Sequence, residues 1–147
     1  MMHIEQAALA DKSAWWPLWQ AYLTFYNHPL PDEISDLTFA RCLDPEEPMQ
    51  LLLAREDGVT LGFVTLVFHR STWARTTYCY LEDLYVDERA RGKGVGRALI
   101  EAVSDIARAQ GSERLYWNTD AANTTAQGLY NTLAEKTDFL VYRRMLD

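Results

Sequence analysis

Residues 81–103, LEDLYVDERARGKGVGRALIEAV, run from a strand-like segment through a basic, glycine-rich turn into an amphipathic helix. Val95, Leu99, Ala102, Val103, Ile106 and Ala109 recur at helical spacing, and Gly111 makes a good terminator. Glycines at 92, 94 and 96 let the backbone approach a ligand and take conformations that a Cβ would resist. The first turn of the helix that follows has N–H groups without intrahelical partners and a positive dipole end, which together favour a phosphate. Arg89, Arg91, Lys93 and Arg97 add charge. The spacing excludes two common phosphate motifs. Lys93 follows Gly92 without the P-loop pattern, and no hydroxyl comes next. Gly94-Val95-Gly96 would need a small residue at 99 for a dinucleotide fingerprint, and that residue is Leu99.

The charge balance sharpens this reading. Twenty-one acids against fourteen bases give a net −7, which argues against nucleic acid or an anionic membrane as partner. Residues 89–97 hold four of the bases and no acid, so ten bases face twenty-one acids elsewhere, −11. An anion site is therefore expected inside an acidic surface. Residues 30–57 carry eight acids and only Arg41 and Arg55, either an ordinary solvated face or one that attracts a cationic substrate. No stretch approaches the ~20 apolar residues of a membrane span, and MMHIEQAALAD lacks the layout of a signal peptide. The expectation is a soluble, cytoplasmic domain covering 1–147.

Along the chain, residues 2–9 could form a first strand. Asp11 can cap a helix, on which Trp15, Trp19, Tyr22 and Tyr26 share a face, with Pro17 predicting a kink or an irregular first turn. A second helix is predicted around 32–43. The segments 49–56 and 59–69 are nearly all apolar and joined by Asp57-Gly58, a hairpin signal that predicts two strands of a sheet covered on both faces. Strands are also predicted over 76–86, 114–119 and 138–146, and a helix over 123–136. The fold class is α/β, a mixed central sheet flanked by helices on both faces.

Arg91-x-x-Gly94-x-Gly96 resembles the Arg/Gln-x-x-Gly-x-Gly/Ala signature of the GNAT superfamily of acetyl-CoA-dependent N-acetyltransferases. Leu81-Glu82-Asp83-Leu84 stands where that family has an apolar–acidic–acidic–apolar run, and Asn123, Ala126 and Tyr130 match its Asn-x-x-Ala-x-x-x-Tyr helix. The element order agrees across essentially the whole chain. One departure is that no Gly-Phe pair follows the last helix, where residues 134–139 read AEKTDF.

The resemblance implies a single GNAT-like domain whose donor is acetyl-CoA. It implies that the amides of Arg91, Gly92, Lys93, Gly94, Val95, Gly96 and Arg97 hold the pyrophosphate. Asn123 and Ala126 would line the pantetheine arm, and backbone groups of Leu84 and Val86 would pair with it and supply an oxyanion donor. Tyr130, almost two helical turns beyond Asn123, would protonate the leaving thiolate. An amine with a pKa of ~10.4 needs a base or proton path. Glu82 is favoured for that role, through water, with Asp83 as electrostatic partner. Strand alternation alone would aim only one of them at the cleft, although the family's strand is often bulged here.

Trp19, Tyr26 and Trp73, with Glu82, are candidates to meet the acceptor, since aromatic faces attract ammonium groups; the alternative for the first-helix aromatics is a core stripe, which helical spacing more often marks. The first-helix pattern is most similar to a branch that includes histone and polyamine acetyltransferases. The expected function is acetyl transfer to a primary amine, a small cationic molecule such as a polyamine, by direct transfer in a ternary complex. Alternatives are a protein lysine or amino-terminal acetyltransferase, and a non-catalytic coenzyme A sensor. Cys42 and Cys79 read as structural, and His3, His28 and His69 have no metal-ligand spacing, so no metal is expected. A homodimer is expected from the family.

Overall fold

The computed structural model describes residues 1–147, which cluster into two compact units, Met1–Trp117 and Asn118–Asp147. The first holds a five-stranded sheet in the order β1-β2-β3-β4-β5: β1 His3–Gln6, β2 Met49–Glu56, β3 Val59–Arg70, β4 Thr77–Val86 and β5 Arg114–Tyr116. The first four pair antiparallel, while β5 lies parallel to β4, so the sheet is mixed. The β2–β3 hairpin turns on Asp57 (φ 52°) and Gly58 (φ 78°). Positive φ at both central residues matches the right-handed twist of the strands, which is why Asp-Gly marks the turn so clearly.

Helices α1 (Lys12–Phe25) and α2 (Asp32–Leu43) cover one face of the sheet. Trp15, Trp19 and Tyr22 recur along α1 and stack at 5.3 and 5.5 Å between ring centroids. Phe39 of α2 and Phe63 of β3 meet Trp15 at 5.2 and 6.4 Å. Together with Leu51 and Leu53 they form a core in which the Trp19 indole N–H donates to the Ser35 hydroxyl at 2.8 Å. Asp11 precedes α1, but its carboxylate reaches backwards, accepting the Ala8 N–H at 2.7 Å and pairing with Arg55. A short 3-10 turn at Leu9–Asp11 thus opens the helix, and Pro17 is accommodated within it.

On the opposite face, α3 (Val95–Ala109) buries Val95, Leu99, Ile100, Val103 and Ala107. Beneath it, Gly62 lets β3 and β4 approach: a Cβ there would lie 2.6 Å from the Tyr85 carbonyl oxygen and 3.2 Å from Val86 Cα, but at an ordinary 3.5 Å from Leu99 Cδ1 of α3. Gly62→Ala is expected to cost about 1–3 kcal/mol as β3 and β4 are forced apart. Denaturant unfolding of that variant checks it, and an unchanged midpoint would show that the strands give way freely. Gly111 (φ 79°) ends the helix segment as predicted.

The second unit contains α4, Thr124–Tyr130, capped by the Asn123 side chain, which accepts the Ala126 N–H at 3.2 Å. The helix stops well before residue 136; Leu133 and Ala134 instead fold back onto the Tyr130 carbonyl, each at 2.9 Å. The strand expected at 114–119 ends at Tyr116. The strand expected over 138–146 is not formed at all: these residues pair with no strand. β-prone composition alone does not make a strand, since the ladder bonds must come from a neighbour.

Candidate active site

The glycine turn is built by its own sequence. Asp87 accepts the Arg89 N–H at 3.1 Å and pairs with the Arg89 guanidinium at 3.0 Å, fixing a short 3-10 turn over Glu88–Ala90 whose Ala90 is buried. Arg91 then folds back, its Nε donating to the Val86 carbonyl at 3.2 Å and its guanidinium 5.6 Å from the Tyr85 ring centroid. Gly92 (φ 78°) and Gly94 (φ 80°) are both left-handed, with open space where a Cβ would stand. The first helical bond of α3 runs from Ala98 N–H to the Gly94 carbonyl at 3.0 Å, so the amides of Val95 and Gly96 precede it. Arg91, Lys93 and Arg97 stand exposed around this helix start. Cationic side chains, left-handed backbone and a helix N-terminus together suit a pyrophosphate.

The strand that leads there is irregular at the acidic pair. Between β3 and β4 the register pairs Leu66 with Leu81 and Thr65 with Asp83, leaving Glu82 unmatched in a bulge. The extra residue cancels the usual alternation. Asp83 is gripped from the α1 side: the Tyr22 hydroxyl donates to it at 2.7 Å and the Thr65 hydroxyl to its other oxygen. Glu82 hydrogen-bonds the Tyr80 side chain two residues back. Both carboxylates therefore belong to one face of the sheet, where regular pleating would have separated them. Glu82 is exposed, whereas Asp83 is more enclosed.

Electrostatics follow the geometry. Burial raises Asp83 above the usual carboxylate range, with the hydrogen bonds from Thr65 and Tyr22 pulling the other way. Glu82 is raised by the thinning of water around it and then by the negative charge of Asp83, against the Tyr80 hydrogen bond. Tyr80 is pushed up to about 12, chiefly by burial. Burial also lifts the thiols of Cys42 to about 12 and Cys79 to about 11, leaving them as thiols at neutral pH and poor nucleophiles.

β5 pairs with β4 only through Tyr78, Cys79 and Tyr80, so from Leu81 to Val86 that side of β4 has no strand partner. The backbone at Leu84 and Val86 is thus on an open edge, able to receive a peptide-like arm. In the second unit, Asn123 caps α4 with its carboxamide oxygen, and Ala126 supplies the capped amide. Tyr130 is the last residue of that helix and half-buried.

The expected acceptor residues are not all brought together. Trp19 is corrected: it is 4% exposed, stacked between Trp15 and Tyr22, and belongs to the core. Tyr26 lies at the exposed end of α1, edge-on to Tyr22 at 5.1 Å. Trp73 is 79% exposed in the β3–β4 loop, beside a surface depression that Glu113 helps to line. At ~3.3 Å per residue, the start of β4 alone is about 17 Å from Glu82, so Trp73 does not share the site of the acidic pair.

Residues that sequence reasoning missed are Thr65 and Tyr80, which hold the two carboxylates. Thr65 did carry a signal, a hydroxyl inside an apolar strand, since buried polar groups demand partners.

Comparison with known proteins agrees with this construction. The acetyltransferase (GNAT) family model matches residues 15–134. The D-amino-acid N-acetyltransferase of Saccharomyces cerevisiae is 43% identical over 136 residues, covering 91% of this chain and 84% of that protein. The aminoglycoside N(6')-acetyltransferase type 1 of Stenotrophomonas maltophilia is 30% identical over 146 residues, 97% of this chain and 92% of that one. A crystal structure of a probable acetyltransferase superposes with a TM-score of 0.86 at 27% identity, covering 99% of this chain and 98% of that one. No helix is long and apolar enough to cross a membrane. With the glycine turn and the bulged acidic strand in place, the chain belongs to the GNAT family and is an N-acetyltransferase that uses acetyl-CoA.

Proposed function

We propose that residues 1–147 act as one catalytic domain that acetylates the primary amine of a small cationic molecule, with polyamines among the acceptors, by direct transfer in a ternary complex. The observation that carries this reading is the bulge at Glu82, which sets two carboxylates on one face beside the open edge of β4. An ammonium group is drawn to such a pair. Relatives named for D-amino-acid and aminoglycoside substrates support an amine on a small molecule. Bound acetyl-CoA supplies the acetyl thioester.

The chain's residues divide the remaining work. The glycine turn and Arg91, Lys93 and Arg97 bind the pyrophosphate, and the edge at Leu84 and Val86 aligns the pantetheine arm. Glu82 takes the amine proton, directly or through water, because both oxygens of Asp83 are already engaged by Tyr22 and Thr65. Asp83 contributes its charge. Tyr130 gives the departing sulfur its proton, and Asn123 with Ala126 shapes the helix that carries it. Tyr26 is the aromatic neighbour we assign to the acceptor. We further propose that the protein is cytoplasmic and works as a homodimer.

A panel of polyamines, amino acids of both hands, aminoglycosides and a basic peptide, assayed for thiol release from acetyl-CoA, tests the substrate class. Saturation by a small amine alone supports it; turnover of the peptide alone would move the acceptor to protein.

The acidic pair also predicts a pH profile. The acidic limb of kcat/KM should fall above the ordinary Glu value of 4.5, because desolvation and the Asp83 charge both oppose ionisation of Glu82. Asp83→Asn removes the neighbouring negative charge, so the limb should move to lower pH. Tyr22, Tyr80 and Tyr116 remain neutral through this range and do not change the sign. A limb that stays in place in Asp83→Asn would assign the base elsewhere.

A further inference from the structure

An amine that arrives as an ammonium ion sheds two protons when it is acetylated, and the thiol accounts for only one of them. The other must travel from the site to bulk water in every turnover. Glu82 receives it under the reading above. With the pantetheine arm on the edge of β4 and the amine over the acidic pair, the reactants themselves stand between Glu82 and solvent. Behind Glu82 lies a line of polar side chains that the proposed chemistry leaves unused. Thr65, Val67 and His69 alternate along β3, and their partners on β4 are Asp83, Tyr80 and Tyr78. Tyr116 of β5 stands opposite Tyr80. One face of the sheet thus runs from the acidic pair through Tyr80 and Tyr116 to His69, all of it within Met1–Trp117.

The bonds along this face have a direction. Tyr80 hydrogen-bonds Glu82, and the Tyr80 and Tyr116 rings lie tilted against each other at 4.9 Å between centroids. His69 Nε2 is 2.7 Å from the Tyr116 hydroxyl oxygen, and Nδ1 is 2.8 Å from the Arg70 carbonyl oxygen. A carbonyl only accepts, so Nδ1 carries the hydrogen of the neutral ring and Nε2 accepts from the Tyr116 hydroxyl. The Tyr116 O–H is thereby aimed at His69, and its lone pairs are turned to a donor from the Tyr80 side. Burial pushes the Tyr80 hydroxyl up to about 12 and raises Tyr116 as well, so both stay neutral and can pass a proton on.

We propose that Tyr80, Tyr116 and His69 form the proton exit from Glu82, with a water bridging the two tyrosine hydroxyls. Protonated Glu82 gives its proton to the Tyr80 oxygen as the Tyr80 O–H proton passes to the water. The water hands a proton to Tyr116 as the Tyr116 proton moves onto His69 Nε2. Both tyrosines and the water end with the hydrogens they began with, and Glu82 is again a carboxylate. His69 becomes an imidazolium at the penultimate position of β3 and releases its proton to water there. Arg114 lies 4.2 Å over the ring of Tyr78, which is edge-on to His69 at 6.0 Å, and its fixed positive charge favours that release. The inference rests on Glu82 as the base. Tyr116 and His69 are positioning residues that act through Glu82 and touch no reacting atom.

The test compares Tyr116→Phe, His69→Ala, the double variant and Glu82→Gln in the full chain, with acetyl-CoA and the panel amine that the parent turns over fastest. Each relay variant should lower kcat by roughly tenfold, short of the ~10²–10⁴ of a lost acid or base, with both KM values within about twofold. The double variant should be no slower than either single, because either break closes the same path. Imidazole in the buffer should restore most of kcat to His69→Ala and none to Tyr116→Phe. Tyr116→Phe removes one oxygen and keeps the ring on Tyr80, so it carries the result if His69→Ala does not fold; its kcat should slow more in heavy water than the parent's. Parent rates in Tyr116→Phe and His69→Ala beside a slow Glu82→Gln would overturn the relay and keep Glu82 as base. Losses that add in the double variant and do not respond to imidazole would make the cluster a packing element and overturn the relay as well. Full activity in Glu82→Gln would overturn both the base and its exit.

Discussion

Gly94→Val is expected to weaken coenzyme A binding by about tenfold or more, with the fold retained. Gly94 sits at φ 80°, where a β-branched residue is strained by roughly 1–3 kcal/mol. Space is not the obstacle, since nothing lies within 4 Å of its Cβ position. The chain can relieve the strain only by rotating Gly94 out of the left-handed region, which re-aims the amides at the start of α3. The loss should therefore appear in affinity by calorimetry. Gly58→Val is the control: it meets the same strain at φ 78° in the β2–β3 hairpin, remote in sequence from the turn. That variant should lose stability and keep its affinity. Equal affinity in a folded Gly94→Val protein would remove the turn as the pyrophosphate site.

Tyr130→Phe is expected to lower kcat by about 10²–10⁴-fold while coenzyme A affinity stays within about twofold of the parent chain. The reason is that a phenol can give a proton to a departing sulfur and a phenyl ring cannot, whereas the ring itself keeps its packing at the end of α4. A thiol that leaves well needs less help, so an acetyl donor with a more acidic thiol should recover part of the lost rate. Full activity in the variant would give the acid role to another group. A parallel loss of affinity and rate would make Tyr130 a binding residue.

Much of this arrangement is legible in the sequence because backbone chemistry is written in single residues. Asp57-Gly58 predicts a turn with positive φ, and both residues have it. The glycines before Val95 and the apolar spacing after it place the start of α3 directly behind the basic glycine turn. The bulge is different. Leu81-Glu82-Asp83-Leu84 reads the same whether the strand is regular or carries an extra residue, and only pairing with β3 decides it. The locking of Asp83 by Tyr22 and Thr65 joins residues 61 and 18 positions apart, beyond the reach of any local pattern.

Trp19 shows the same limit from another side. The helical spacing of the α1 aromatics is visible, but whether the stripe faces a cleft or a core depends on what packs against it. Here Phe39, Phe63 and Ser35 fill that space. The segment 138–146 has the residues of a strand but pairs with none, because ladder bonds are set by a neighbouring strand and not by local composition.

The measurement that bears most directly on the central claim is a stoichiometric one. Purified protein, acetyl-CoA and a small primary amine would be followed by thiol release and by mass spectrometry of the amine. Direct transfer with Glu82 as base predicts one acetylated amine for each thiol released, a rate that saturates in both substrates, and a fall of about a hundredfold or more in Glu82→Gln. Thiol release without an acetylated amine, or an unchanged rate in Glu82→Gln, would contradict it.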